Sequence, residues 1–379
     1  MHRHLLLALV LPLIIASSAA AAEPDATAWK YSPGSLRPFW LGETLKDEPI
    51  LFIKDPASGI ARGKVLFSIK RVLSVRNGEN TIAYREGRDF TWNAKSREIV
   101  LPPDSRIVSR TVADLRRPDG SQRHRLTHRD GNGEILFGAK LEYHQMQTCI
   151  TYTRLLTDCP SPVSAFNEKA LPRSIATLRA GKPFSIVVLG DSISTGCNAS
   201  GWGGGAPHQP AYPELLKLHL EAVYRTTVSL TNLSVGGKAS HWGISMVDQV
   251  AAAKPDLVIV AFGMNDSARV PATEFKTNIS AIIGKTREQV PEAEFILVAS
   301  MLGNRNWTYL KHELFEPYRD ALNQLVKPGI AVADLTTVWT EFLRLKDYLD
   351  LTGNGVNHPN DFGHRVYAQV IAALLAETD

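Results

Sequence analysis

Four short stretches in the second half of the chain carry residue types suited to acyl-transfer chemistry. Gly190-Asp191-Ser192 follows the apolar run Phe184 to Leu189. Ser192 therefore stands just past a buried strand and near the amides that open the next element, a setting that suits a nucleophile. Asn232 to Gly237 follows a second such run, and Gly263-Met264-Asn265-Asp266 follows a third. Glycines there can be tight turns, and Asn265 or Asp266 a helix cap. A glycine amide and an asparagine carboxamide are also two donor types that stabilise a tetrahedral oxyanion, and their recurrence at consecutive strand ends argues for a shared site. His358, in the loop Asn354 to Asn360 shortly before the last helical pattern, supplies a base. Neither a Gly-x-Ser-x-Gly elbow nor a Gly-x-x-x-x-Gly-Lys-Ser/Thr phosphate loop occurs around these residues.

The elements that must position these side chains are legible from residue 183 onward. Apolar runs of strand length at Phe184 to Leu189, Val228 to Leu233, Leu257 to Phe262, Phe295 to Ser300 and Ile330 to Asp334 alternate with helical patterns at Tyr212 to Tyr224, Ile244 to Ala253, Thr273 to Val290 and Pro317 to Val326. A further helical pattern, Arg365 to Glu377, closes the chain. This alternation predicts an α/β fold with a doubly wound, five-stranded parallel sheet and a site at the carboxyl ends of its strands. Before residue 165 the pattern is different. Short β-branched and aromatic runs between turn signals predict a β-sandwich, with a hairpin around Asn93 to Ser96. The expected division is a signal peptide over 1–22, a β-sandwich accessory domain over 23–165, a linker and helix over 166–182, and the α/β domain over 183–379.

The four blocks, taken in order, resemble those of the SGNH (GDSL-type) hydrolases. The resemblance spans residues 183–379 and implies a flavodoxin-like sheet order, with a jelly-roll-like β-domain ahead of it as in some secreted carbohydrate acetyl esterases. It implies Ser192 as nucleophile, His358 as general base, and the amides of Ser192 and Gly237 with the Asn265 side chain as oxyanion hole. Gly236 is the neighbouring choice, but Gly237 keeps the family's spacing from Asn232. One position departs from the pattern. The family carries Asp three residues before the histidine, where this chain has Gly355. Asn354, a more distant acid such as Asp350 or Asp361, or a backbone carbonyl must then orient the imidazole; either Asn354 or Asp350 is favoured.

The loop after the nucleophile offers Trp202, His208 and Tyr212, and a later strand-end loop offers Trp307. Aromatic faces beside polar groups suit sugar rings, so the expected substrate is an acetylated glycan. A broad-range lipase, arylesterase or thioesterase is the alternative within enzymes, and a catalytically weak carbohydrate-binding protein the alternative outside them. Of the 379 residues 44% are hydrophobic, and a net charge of +4 is too small over this length to indicate nucleic-acid binding. The basic stretch Arg110 to Asp130 reads as a solvated loop, with an anionic-glycan contact as the second reading. Arg3 and the 11-residue apolar run Leu5 to Ile15, followed by small residues through Ala22, read as a cleaved signal, with Glu23 as the mature start and no membrane insertion thereafter. The expected location is secreted or periplasmic. The three cysteines, Cys149, Cys159 and Cys197, leave at least one thiol unpaired or paired between chains, and a Cys149–Cys159 bridge stays open. No Cys/His cluster has zinc-site spacing, so neither metal nor cofactor is implied.

Overall fold

A computed structural model describes residues 29–94, 96–155 and 166–377. The expected signal segment and Cys159 lie outside the described residues, so neither its cleavage nor the Cys149 bridge is addressed. Ten short strands build the leading part: β1 (Thr44–Ile50), β2 (Phe52–Lys54), β3 (Ala61–Lys64), β4 (Ile69–Asn77), β5 (Thr91–Trp92), β6 (Glu98–Leu101), β7 (Ser109–Arg110), β8 (Arg116–Arg117), β9 (Glu134–Ile135) and β10 (Thr148–Arg154). They form an antiparallel sheet β1-β10-β4, a five-stranded sheet β5-β6-β3-β2-β7 and the ribbon β8-β9. The expected hairpin is present as β5 against β6, with Thr91 opposite Val100. Buried and half-buried residues alternate along β10, as expected of a strand with one face on a core.

The second part is built on β11 (Phe184–Gly190), β12 (Val228–Asn232), β13 (Leu257–Ala261), β14 (Glu294–Ala299) and β15 (Ile330–Asp334). All pairings in this sheet are parallel, in the order β12-β11-β13-β14-β15. Strands β13 and β14 are buried at every position because helices cover both faces of such a sheet. The helix expected near Ile244 to Ala253 is two shorter ones, Ser240–Ile244 and Val247–Ala252. Leu335–Leu345 is a helix that the pattern reading omitted. The Asp334 side chain accepts from the Thr337 amide and caps its first turn.

The two parts share one apolar core. Ile50, Phe52, Ile69, Ile99 and Tyr152 of the leading sheets belong to the same buried cluster as Ile186, Leu257, Trp339 and Tyr367. The seam is also polar. Lys346 Nζ, fully buried, donates to Glu48 Oε1 at 2.6 Å and to the carbonyls of Pro49 at 2.8 Å and Lys64 at 3.0 Å. Tyr152 donates its hydroxyl to the other Glu48 oxygen at 2.8 Å. Charges this deep are tolerated only when paired and hydrogen-bonded. Among the described residues, no helix is long and apolar enough to cross a membrane.

Candidate active site

Ser192 lies in the tight turn that leaves β11, where Thr195 N donates to Asp191 O at 3.1 Å and Cys197 N to Ser192 O at 3.1 Å. The turn holds the Ser192 side chain at the carboxyl edge of the sheet, 8% exposed. Its Oγ is 2.8 Å from His358 Nε2, although the two residues are 166 positions apart. The second block is tied to the first: Asn232 Nδ2 donates to Ser194 O at 2.7 Å, and Val235 N to Gly190 O at 3.1 Å. These bonds bring Gly236 against the serine, where a Cβ would sit 3.6 Å from Ser192 Cβ. Gly237 follows with φ +77°, in the left-handed region. Among the described residues, the amides of Ser192 and Gly237 donate to no other protein group, so both are available to an incoming oxygen. Asn265 Nδ2 donates to Lys238 O at 2.9 Å and makes only a long 3.5 Å approach to Asp191, which leaves one amide hydrogen weakly engaged.

Asp266 anchors the third block. Its buried carboxylate accepts from the Ser240 amide at 2.9 Å, from the Ser240 hydroxyl at 2.5 Å and from the Gly263 amide at 3.1 Å. Burial pushes the carboxyl of Asp191, beside the serine, up to about 7, and nearby Asp266 adds to the rise. His358 is driven the other way. Burial, with the neighbouring His364, holds its imidazole down at about 3, so the ring is neutral and Nε2 or Nδ1 is available as a base.

The expected partners of His358 are not the ones found. Asn354 spends its side-chain oxygen on the amides of Val356, Asn357 and His358 at 2.9, 2.9 and 3.1 Å, so it shapes the loop from within and does not meet the ring. Asp350 accepts from Leu51 N at 2.8 Å and faces Lys346 at 3.8 Å, at the seam. Asp361 accepts from Ser200 N at 2.7 Å. The atom that meets His358 Nδ1 is Asn198 Oδ1, at 2.7 Å. Asn198 stands six residues after Ser192 in the turn-rich segment that the sequence reading treated only as a loop. The one local signal was an asparagine among glycines, the non-glycine type best suited to left-handed backbone; its φ is +67°.

The four expected substrate contacts divide. Trp202 is 48% exposed on the short helix Ser200–Gly203, and His208 is exposed beyond it. Trp307 is half-buried, packed on Leu126, Ile135 and Val356, and stacks on exposed Tyr309 with centroids 4.9 Å apart. Tyr212 is corrected: it is fully buried, with its hydroxyl 2.7 Å from Ser194 Oγ and its ring 5.2 Å from that of Tyr367, because it opens a helix that packs on β12 and on the last helix, and it cannot touch a substrate. The leading part also reaches the site. Gly138 N donates to Asn354 O at 3.0 Å, Thr308 N to Thr127 O at 3.2 Å, and Arg129 donates to the carbonyls of Arg305, Trp307 and Leu310. Among the described residues, no cluster of three or more His, Cys, Asp or Glu is placed to hold a metal ion, and no disulfide joins Cys149 to Cys197.

The parallel sheet in the order β12-β11-β13-β14-β15, with these blocks at its strand ends, is the flavodoxin-like arrangement expected of the SGNH fold. The model of the GDSL-like Lipase/Acylhydrolase family matches residues 188–366 of this chain. Among curated proteins no sequence matches this chain. Similar solved structures include a two-domain esterase (CEX) active on acetylated mannans, at 19% identity and a TM-score of 0.42, over 56% of this chain and 54% of that one. The match thus spans about half the length of that esterase. Others are the lipase Lip_vut3 from a goat rumen metagenome, at 17% identity and TM-score 0.42 over 52% of this chain and 100% of that one, and a lipase/acylhydrolase from Enterococcus faecalis, at 20% and 0.40 over 50% and 93%.

Proposed function

We propose that the chain is a secreted serine esterase that removes acetyl, or other short acyl, groups from polysaccharide or oligosaccharide. The observation that carries this reading is the 2.8 Å contact between Ser192 Oγ and the neutral ring of His358. His358 Nε2 takes the serine proton as Oγ attacks the ester carbonyl. The oxyanion is received by the amides of Ser192 and Gly237 and by the less engaged hydrogen of Asn265. Collapse breaks the ester C–O bond, and His358 returns its proton to the departing sugar hydroxyl. Water, deprotonated by the same ring, then attacks the acyl-serine and releases the carboxylate. Trp202 and the Trp307–Tyr309 stack give flat faces suited to sugar rings, and the amino-terminal charged and apolar run supports export.

The test is acetate release from a panel of acetylated polysaccharides, beside p-nitrophenyl acetate and octanoate, for the wild type and Ser192→Ala. Release from glycan that falls by several orders of magnitude in Ser192→Ala is expected, because nucleophile and base act as a unit. Cleavage of octanoate with no release from any glycan would move the protein to the lipolytic alternative. Undiminished hydrolysis by Ser192→Ala would refute the mechanism itself.

A further inference from the structure

A neutral imidazole has two tautomers, and only the one with hydrogen on Nδ1 leaves an Nε2 lone pair for a serine proton. Asn198 provides the means of choosing between them. Its Nδ2 carries two hydrogens, and two carbonyl oxygens receive them: Lys140 O at 2.8 Å and Gly353 O at 3.0 Å. Carbonyls only accept, so the nitrogen must face them and the oxygen must face His358 Nδ1, 2.7 Å away. An acceptor at that distance requires hydrogen on Nδ1. We propose that Asn198 is the positioning residue that fixes the His358 tautomer where the family has a carboxylate, and that the Lys140 carbonyl, in a turn of the leading part, holds its amide in the accepting orientation. The inference rests on Ser192 and His358 being nucleophile and base.

The surroundings are built for an amide. A carboxylate at 198 has the same shape and tolerates the same left-handed backbone. It would nonetheless set an acceptor oxygen against the Lys140 and Gly353 carbonyls with no hydrogen between them. Those two carbonyls would lose their donors, and the added charge would meet their negative ends. In this chain the usual acid is therefore expected to be a poor replacement for the amide. The fit is close on the other side too, since a Cβ at Gly353 would collide with Asn198 Cβ.

The test compares Asn198→Ala and Asn198→Asp with the wild type in p-nitrophenyl acetate hydrolysis and in 15N spectra of histidine-labelled protein at pH 8. In the wild type His358 is expected as a single tautomer with hydrogen on Nδ1. Asn198→Ala is expected to lose that preference and to lower kcat about 10–100-fold with KM within about twofold, as the loss of an orienting partner does. Asn198→Asp is expected to stay well below the wild-type rate. Wild-type kcat in Asn198→Ala, or an unchanged tautomer there, would overturn the positioning role. Wild-type or greater activity in Asn198→Asp would overturn the claim that the pocket requires an amide. If Asn198→Ala does not fold, Asn198→Asp carries the test through its spectrum. Ser192→Ala run alongside separates the cases, because its retained activity removes the esterase reading whatever Asn198 does.

Discussion

At the scale of residues, the catalytic histidine proposed here works without a carboxylate. Its hydrogen-bond partner is neutral, and burial beside His364 lowers its proton affinity to a pKa of about 3. The base form is then already present in mild acid. In an Asp191→Asn background, which removes the carboxyl that titrates at about 7 beside the serine, we expect kcat/KM for acetyl esters to stay level from pH 8 down to about 5, with no half-point near the ordinary imidazole value of 6.5. A limb centred near 6.5 in the pH–rate profile would contradict this. The same shift enters stability. Between pH 6.5 and about 3 the unfolded chain binds a proton that folded His358 refuses, so this contribution is complete above 6.5 and is lost as the pH falls. His364, held at about 4 by burial, acts in the same direction. Asp191 opposes both: raised to about 7, its contribution is present below 3.8 and lost as the pH rises through 7.

At the scale of elements, the loop Thr352 to Pro359 is a small closed unit. Thr352 Oγ1 donates to His358 O at 3.0 Å and accepts from Gly355 N at 2.9 Å, and Gly353 N donates to His358 O at 2.9 Å. Asn354, expected to serve the imidazole directly, instead gathers three amides at the loop's centre, which fixes where His358 leaves the chain. Gly355 is the tightest point. Its φ is +83°, and a Cβ there would meet the Tyr143 hydroxyl and lie 2.6 Å from Leu136 O, both from the leading part. Gly355→Ala is predicted to cost about 2–4 kcal/mol of stability through clash and strained backbone, read by denaturant unfolding, and to lower kcat by displacing the histidine. Unchanged stability and rate would show that the leading part does not constrain this loop.

At the scale of the whole molecule, loops of the leading part are hydrogen-bonded to the segments around the site. Their backbone supplies the Lys140 carbonyl to Asn198 and the Gly138 amide to Asn354, and Gln147 donates to the carbonyls of Leu349 and Thr352, each at 2.9 Å. Removing residues 29–165 would strip these bonds, leave the Lys346 ammonium without Glu48 and uncover the shared core. The chain from 166 onward, produced alone, is predicted to aggregate or melt well below the full chain, since breaking one buried ion pair alone costs roughly 3–5 kcal/mol. Any folded fraction should have lost most of its esterase rate. A soluble, cooperatively melting and fully active fragment would show the leading sheets to be a separable accessory.

The primary structure alone determined the strand-end blocks around Ser192, Gly237, Asn265 and His358, together with the parallel α/β fold that brings them to one edge. Buried strands leave continuous apolar runs, and turns and donors sit within a few residues of them, so these features are local. Tertiary structure decided what is not local. Asn198 meets His358 across 160 positions, and neither its glycine-rich surroundings nor the missing Asp near His358 pointed to the other. Tyr212 looked like a sugar platform because its ring is aromatic near the nucleophile, but packing of its helix on β12 and on the last helix turned it inward. The leading β-domain was read from short β-branched and aromatic runs between turn signals, which report strand type and not which faces are covered. Only the folded chain shows that apolar residues on both sides of the boundary bury one another, because that contact depends on faces brought together over long sequence distances.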